Sequence, residues 1–146
     1  MNKGWNAMRK LADVVFEQRA LVLHRATAVA EACRQMRDRQ AGSVAVVDDE
    51  GRLVGIFTGR DAVCRVMACG RDAQATPLAD VMTPNPASMS PDHSAVDALR
   101  LMWDGGFRHV PLVKHGKVIG VVSRGDFKGL EHSHHEAERD LWEHMR

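Results

Sequence analysis

Two short motifs in this chain place a hydroxyl three residues before a carboxylate. They are Thr58-x-x-Asp61 and Ser123-x-x-Asp126, and each directly follows an apolar run and precedes a helical pattern. An ionised carboxylate is a pure acceptor whose two oxygens can take both hydroxyls of a ribose, as acids do in dinucleotide-binding folds. The hydroxyl and the free N–H groups of a helix start can meet a phosphate. The motifs are therefore candidate nucleotide contacts, although plain strand-end and helix-capping residues have the same pattern.

An arginine accompanies each motif and offers a charge-assisted contact to a phosphate. Arg60 lies inside the first motif, whereas Arg124 lies one position earlier in the second. We therefore expect the two arginines to point in different directions. We also expect a helix to begin at Asp61 and another at Asp126, because Asp is a good N-cap and suits the positive end of a helix.

Both motifs belong to an internal repeat that spans most of the chain. Residues 11–15 (LADVV) recur at 78–82 (LADVM), and the segment 55–61 recurs at 120–126, about 66 residues further on. Each copy predicts an extended segment, a helix, two strands and a second helix. The first helices carry apolar stripes with the same 3-1-3 spacing, which one face of an α-helix produces. These stripes are Val29, Ala32, Cys33 and Met36 in the first copy, and Ala95, Ala98, Leu99 and Met102 in the second.

The predicted fold is α/β (α+β), with two β-α-β-β-α repeats packed as a pseudo-two-fold pair. A repeat of roughly 60–65 residues buries its own sheet poorly, so the two copies should cover each other. Strands are predicted at 43–47 and 53–58, and again at 109–113 and 118–123. The predicted divisions are an N-terminal helix or arm at 1–10, a first domain at 11–70, a polar linker at 71–77, a second domain at 78–130, and a histidine-rich C-terminal helix at 131–146.

Composition narrows the classes of function. The formal net charge is +1 over 146 residues, which supplies no broad basic field for nucleic acid. No apolar stretch approaches the roughly 20 residues of a membrane span, and no signal-peptide pattern is visible at the start. Three cysteines without a CxxC pair favour a reducing compartment. We therefore expect a cytoplasmic protein without membrane or nucleic-acid partners, and we expect its cysteines to pack inside it.

The repeated motifs resemble the CBS domain, and two copies in tandem are similar to a Bateman module. The resemblance rests on both motifs with their preceding glycines, Gly55 and Gly120, and on the stretches 80–84 (DVMTP) and 107–113 (FRHVPLV). It implies a compact module with two clefts between the sheets, which often dimerises. It also implies an adenosine-containing ligand such as AMP, ADP, ATP, NAD or S-adenosylmethionine. This sequence shows no attached catalytic domain, so we expect a regulatory homodimer that signals to a separate effector protein.

The resemblance further implies which residues share each cleft, because both halves of such a module contribute. The first cleft is expected to contain Thr58, Arg60, Asp61, Thr83, Pro86, Ala87, Arg108 and His109. The second is expected to contain Leu21, Leu23, Gly42, Ser43, Ser123, Arg124 and Asp126. Arg108 and His109 are candidate phosphate partners, or simply a solvated strand start. A histidine gains charge below its usual pKa of about 6.5, so phosphate binding there would depend on pH.

The two copies are not equivalent. Residues 82–87 (MTPNPA) follow the family pattern, whereas residues 15–20 (VFEQRA) lack the threonine and prolines and place Glu17 near a possible phosphate. We therefore expect the cleft with Thr83 and Asp61 to be the better ligand site.

Other functions remain open at this point. The C-terminal histidines, His132, His134 and His135, are weak metal candidates, and a metal-binding stress protein is one alternative. A solvated helix face, with Leu141 packing on the module or on a dimer mate, is the preferred interpretation of that segment. A second alternative is a structural dimerisation module with empty clefts. An enzyme is not expected, since no nucleophile with a base partner and no Gly-rich phosphate loop is visible.

Overall fold

The structure, a computed structural model, describes residues 9–15, 20–127 and 129–144. Most of the predicted arm at 1–10 therefore lies outside the described residues, and so do Glu17 and the side chain of His134.

The first repeat follows the predicted order. Its elements are α1 (Leu11–Val14), β1 (Val22–His24), α2 (Val29–Arg39), β2 (Ser43–Val47), β3 (Leu53–Thr58) and the short helix α3 (Gly59–Asp61), which continues as a π-helical segment at Ala62–Met67. The α2 stripe packs inward, with Val29, Ala32 and Met36 buried and Cys33 half-buried against them. The strands at 43–47 and 53–58 therefore have their predicted bounds, because short β-branched runs bounded by glycine favour strands.

The second repeat has the same order but ends differently. Its elements are a 3-10 turn at Leu78–Asp80, β4 (Thr83–Pro84), α4 (Ala95–Gly105), β5 (His109–Lys114), β6 (Lys117–Ser123), a 3-10 turn at Arg124–Asp126 and α5 (Gly129–His144). A capping box begins α4, with Ser94 Oγ accepting from the Asp97 N–H at 3.2 Å. The C-terminal segment is helical as predicted. Leu141 is 62% exposed, so it does not pack on the module of its own chain, and its packing on a dimer mate stays a prediction.

Two small sheets carry the strands that the structure describes. One has the order β1-β2-β3-β4, and the other consists of β5 and β6. β1 runs parallel to β2, and Met89 makes the matching parallel bridge to Leu112 of β5. The sheets meet face to face through Ala45, Ile56 and Val121, which form a small shared core. The seam between the repeats is therefore apolar, as a pseudo-two-fold pair requires.

The two repeats exchange the segments that lead into them. Leu11 and Val15 pack in the core of the second repeat, whereas Leu78 and Val81 pack in the core of the first. Backbone hydrogen bonds fix both crossings, from the Leu11 N–H to the His93 carbonyl at 2.8 Å and from the Leu78 N–H to the Thr27 carbonyl at 2.9 Å. Neither repeat thus has a complete core without the other, which joins them into one folding unit.

Gly55 allows the exchanged segment that precedes β4 to lie close to the first sheet. A Cβ built at Gly55 would overlap the side chain of Met82, which leads into β4. The β4 segment then pairs with β3, and Gly55 faces Pro84 across that ladder. The glycine before the first motif therefore leaves the space that the Met82 side chain occupies.

The predicted linker is more ordered than its polar sequence indicates. Thr76 is buried, and its carbonyl accepts the Val29 N–H at 2.9 Å, while the Ala73 carbonyl accepts the Ala30 N–H at 2.9 Å. These carbonyls satisfy the free N–H groups of α2, whose N-cap Ala28 has no side-chain acceptor. The segment is thus a cap for α2 as well as a connection.

The termini of the described chain meet at a buried ion pair. Glu131 is 1% exposed, and Arg9 Nη2 donates to its Oε1 at 2.8 Å. Arg9 Nη2 also donates to the Asp126 carbonyl at 3.1 Å. No group of three or more His, Cys, Asp or Glu side chains suited to a metal is found within residues 9–15, 20–127 and 129–144. No described helix is long and apolar enough to cross a membrane.

The expected helix starts and the expected packing of two cysteines were wrong. Thr58, and not Asp61, is the N-cap of α3, and Asp61 is the third helical residue. Asp126 likewise ends a 3-10 turn whose N-cap is Ser123, and the next helix begins at Gly129. Cys64 and Cys69 are exposed instead of packed; Cys64 lies on the π-helical segment and Cys69 in the turn that follows it.

Candidate functional site

The first cleft lies where the end of β3 meets the segment around β4 and the start of β5. Its volume is about 700 Å³. Every residue predicted for it contributes to its lining, namely Thr58, Arg60, Asp61, Thr83, Pro86, Ala87, Arg108 and His109. Residues that were not predicted also line it: Gly42, Ile56, Gly59, Asn85, Gly106 and Phe107. The cleft thus combines one acid, two arginines, hydroxyls and apolar walls.

Asp61 is held firmly at the wall of this cleft. It is 9% exposed, and its Oδ2 accepts the Thr58 N–H at 2.9 Å and the Thr58 hydroxyl at 3.2 Å. The Asp61 N–H in turn donates to Thr58 Oγ1 at 3.3 Å, which completes a capping box. A carboxylate has about four lone-pair sites. Oδ1 therefore keeps acceptor capacity for a ligand, and the capping box fixes its direction.

Arg65 positions this acid and was missed in the sequence. Its Nε lies 3.5 Å from Asp61 Oδ1, and its Nη1 donates to the Met82 carbonyl at 3.0 Å. It therefore links α3 to the exchanged segment that carries Thr83. The i,i+4 spacing from Asp61 was a signal that sequence reasoning had available.

The cations of the first cleft are free to bind an anion. Arg60 and Arg108 are both exposed, and neither guanidinium has a hydrogen bond or ion pair to any residue that the structure describes. An anion would thus gain two guanidinium groups without breaking an existing ion pair.

The second cleft lies between the start of β2 and the end of β6, with a volume of about 680 Å³. Five of its predicted residues line it: Leu21, Gly42, Ser43, Ser123 and Asp126. Leu23 does not, because it packs against the first core, and Arg124 does not, being an exposed residue whose carbonyl accepts from His132 Nε2 at 3.1 Å. The lining residues that were not predicted are Ala20, Arg39, Gln40, Ala41, His109 and Val121.

The acid of the second cleft is held more loosely. Asp126 is exposed, and its Oδ2 accepts the Ser123 N–H at 2.7 Å. Its three-residue turn ends at Phe127, which is extended and buried in the second core. Ser123 and Asp126 form a capping box here as well, and Arg9 Nη2 donates to the Asp126 carbonyl. The same motif therefore produces a less enclosed acid here.

His109 and Gly42 line both clefts. Burial lowers the pKa of the His109 imidazole below its usual value; the Asp126 carboxylate opposes this shift and the Arg108 guanidinium adds to it. The side chain is therefore held toward its neutral form at neutral pH, and the pH sensitivity predicted for it moves to more acidic pH.

Two repeats that exchange their leading segments and enclose two clefts define a paired-domain module. The family model for the CBS domain matches residues 11–67 and 78–132, and the chain therefore belongs to the CBS domain family.

Curated relatives agree with that family. The CBS domain-containing protein CBSCBSPB2 of Arabidopsis thaliana is 38% identical over 104 residues, which are 71% of this chain and 19% of that protein. The chain thus spans about a fifth of the length of these plant relatives. The Bacillus subtilis protein YlbB is 36% identical over 110 residues, or 75% of this chain and 74% of that protein.

Solved structures share the fold. A protein with CBS domains from Burkholderia ambifaria is 28% identical, with a TM-score of 0.72, covering 79% of this chain and 88% of that one. A CBS-domain protein from Agrobacterium tumefaciens is 27% identical, with a TM-score of 0.72, covering 82% and 90%. A CBS domain pair solved in complex with 5'-methylthioadenosine and S-adenosyl-L-methionine is 21% identical, with a TM-score of 0.67, covering 84% and 92%.

Proposed function

We propose that this chain is a regulatory module that binds an adenine nucleotide in its first cleft and signals to a separate protein. The observation that carries this proposal is the enclosed carboxylate of Asp61 beside two exposed arginines, Arg60 and Arg108, that have no described partner. A nucleotide needs an acceptor for its ribose hydroxyls and cations for its phosphates, and the first cleft offers both.

Each part of the nucleotide has a matching part of the cleft. The ribose hydroxyls donate to Asp61 Oδ1, which retains lone pairs beside its contact with Arg65. The phosphate meets Arg60 and Arg108; a contact with the Thr58 hydroxyl would replace the one that this hydroxyl donates to Asp61. The adenine ring lies against the apolar walls that Ile56, Pro86 and Ala87 provide. The neighbour solved with two adenosine-containing ligands supports this class of ligand, since it shares the fold.

Regulation follows from the position of the cleft between the repeats. Asp61 belongs to the first repeat, whereas Thr83 and Arg108 belong to the second. A ligand that contacts both stabilises the relative arrangement in which all contacts form, and it shifts the population toward that arrangement. We propose that a cytoplasmic homodimer transmits this shift to its effector, with no reaction catalysed by the module.

The test is a thermal-shift panel with AMP, ADP, ATP, NAD and S-adenosylmethionine on the wild-type protein. A ligand present at 100 times its dissociation constant stabilises the folded state by about 2.7 kcal/mol. We expect one or more nucleotides to raise the unfolding temperature, and Asp61→Asn to abolish most of that rise. Asp104→Asn is the matched control, because Asp104 is exposed and lines neither cleft. If no member of the panel shifts the wild type, the proposal fails.

A structural dimerisation module is the second candidate. Val63 and Met67 are 58% and 77% exposed on the π-helical segment, an unusual position for two apolar side chains four residues apart. Val63→Glu and Met67→Glu should dissociate such a dimer in sedimentation experiments. A dimer that survives both changes would remove the observation that favours this candidate.

A further inference from the structure

One side chain stands at the boundary of both clefts. His109 is the first residue of β5, with Arg108 of the first cleft directly before it and Ser123 of the second cleft opposite it in the β5–β6 ladder. Gly42 forms the other side of this boundary, since the position of a Cβ there would lie 3.5 Å from His109 Nε2. The imidazole and the Gly42 backbone are therefore a thin wall between two possible ligands.

We propose that the two clefts are energetically coupled through His109, so that an anionic nucleotide in one cleft strengthens binding of a second in the other. This coupling rests on the proposed function, because it requires that both clefts accept a phosphate-bearing adenine ligand.

The charged groups around the His109 imidazole determine whether the coupling is favourable or unfavourable. Arg108 and Asp126 act electrostatically on the imidazole. The other charged residues of the clefts are Arg60 and Asp61 in the first and Arg39 in the second. Burial disfavours the imidazolium in the free protein. A phosphate in either cleft adds a negative charge beside the ring and favours its protonation. Binding of the first ligand is thus accompanied by protonation of His109. The second ligand then binds beside an imidazole that is already charged.

The coupling is largest at a pH somewhat above the pKa of His109 in the ligand-free protein, because the ring is neutral there before binding but is readily protonated. At lower pH the ring is charged in every state, so neither ligand changes its protonation and the coupling through the proton disappears. Direct repulsion between two anions acts in the opposite direction and limits the gain. We therefore expect coupling of about fivefold, near the lower end of what is typical between two sites.

The experiment is calorimetric titration with AMP at pH 7. Ala87→Trp fills the first cleft and Ala20→Trp fills the second, which gives the dissociation constant of each cleft alone. Asp61→Asn and Asp126→Asn provide a second pair of single-cleft proteins if a tryptophan variant does not fold. The coupling factor is the affinity of a cleft in the wild type, with its neighbour occupied, divided by its affinity when the neighbour is blocked.

We expect a factor of about five in the wild type, a factor near one in His109→Asn, and the wild-type factor in His115→Asn. His115 is the control because it lies on the same hairpin, is exposed and lines neither cleft. A factor near one in the wild type, or AMP bound in a single cleft, overturns the coupling and leaves the proposed function standing.

Two further outcomes also contradict the coupling. A coupling factor that persists in His109→Asn would show that the imidazole does not carry the coupling. Failure of AMP to bind either cleft would contradict the assumption that both clefts accept this ligand. In the second case the thermal-shift panel decides separately whether the proposed function fails as well.

Discussion

The two copies of one motif hold their acids in different ways. In the first, Asp61 is 9% exposed and is fixed by Thr58 and by Arg65 from its own helical segment. In the second, Asp126 is exposed, and its backbone is tied by Arg9, a residue 117 positions away in the chain. A motif therefore specifies which groups are present, whereas the residues that follow it decide how firmly they are held.

The chain after each acid explains the difference. Residues 62–67 continue as a helical segment that returns Arg65 to Asp61, so the first acid is supported locally. After Asp126 the extended, buried Phe127 ends the turn, and α5 begins only at Gly129. Support for the second acid then comes from the Arg9–Glu131 pair, which joins the two ends of the described chain.

The largest predicted effect comes from breaking that pair. Glu131→Ala removes the acceptor of three hydrogen bonds from Arg9, whose side chain is 24% exposed, and we expect it to lower the free energy of unfolding by about 3 kcal/mol. Urea denaturation measures this loss. Glu136→Ala, an exposed position in the same helix, is the control and should change stability by less than about 0.5 kcal/mol. Equal effects of the two substitutions would show that the ion pair does not support the second repeat.

The second prediction compares the two acids directly. Asp61→Asn weakens the buried capping box, so we expect a loss of about 2 kcal/mol of stability. Asp126→Asn changes an exposed side chain, and we expect a loss of about 0.5 kcal/mol. Denaturant unfolding of both variants without ligand tests the ranking. A larger loss in Asp126→Asn would reverse the comparison between the copies.

The third prediction concerns the cations of the first cleft. Arg108→Gln should weaken AMP binding about tenfold, because it removes one charge-assisted contact worth about 1.4 kcal/mol. Adenosine, which lacks the phosphate, should bind the variant and the wild type nearly equally. Arg124→Gln is the matched control, since Arg124 lies outside both clefts. An equal loss for adenosine would place Arg108 against another part of the ligand.

The smallest effect is the pH dependence of stability from His109. Burial lowers its pKa in the folded protein, whereas the unfolded chain has the ordinary value of about 6.5. As the pH falls through about 6.5, the unfolded state takes up the proton first, and folding stability decreases until the folded pKa is reached. Urea unfolding from pH 7.5 downward should show this decrease in wild type and in His115→Asn. It should be absent in His109→Asn, and its persistence there would assign it to another group.

The sequence predicted much of this molecule because the repeat and the apolar spacing are local signals. The stripes of α2 and α4 and the strand bounds of β2 and β3 are confirmed. The eight residues predicted for the first cleft line one cavity, and their role in binding a ligand stays a prediction. The exchange of Leu11 and Leu78 between cores was not predicted, since periodicity shows which face is buried and not which partner covers it.

The errors have the same origin. Arg9 and Glu131 are 122 residues apart, and no spacing rule relates them. Arg124 was placed in the second cleft by analogy with Arg60, but its different offset directs it away. His109 was assigned to the first cleft alone, because its proximity to Gly42 depends on how the two sheets meet.

A crystal structure of the wild-type protein grown with AMP tests the central claim most directly. We predict AMP in the first cleft, with both ribose hydroxyls within hydrogen-bond distance of the Asp61 carboxylate and the phosphate beside Arg60 and Arg108. AMP bound with its ribose away from Asp61, or an empty first cleft at saturating AMP in solution, would contradict it.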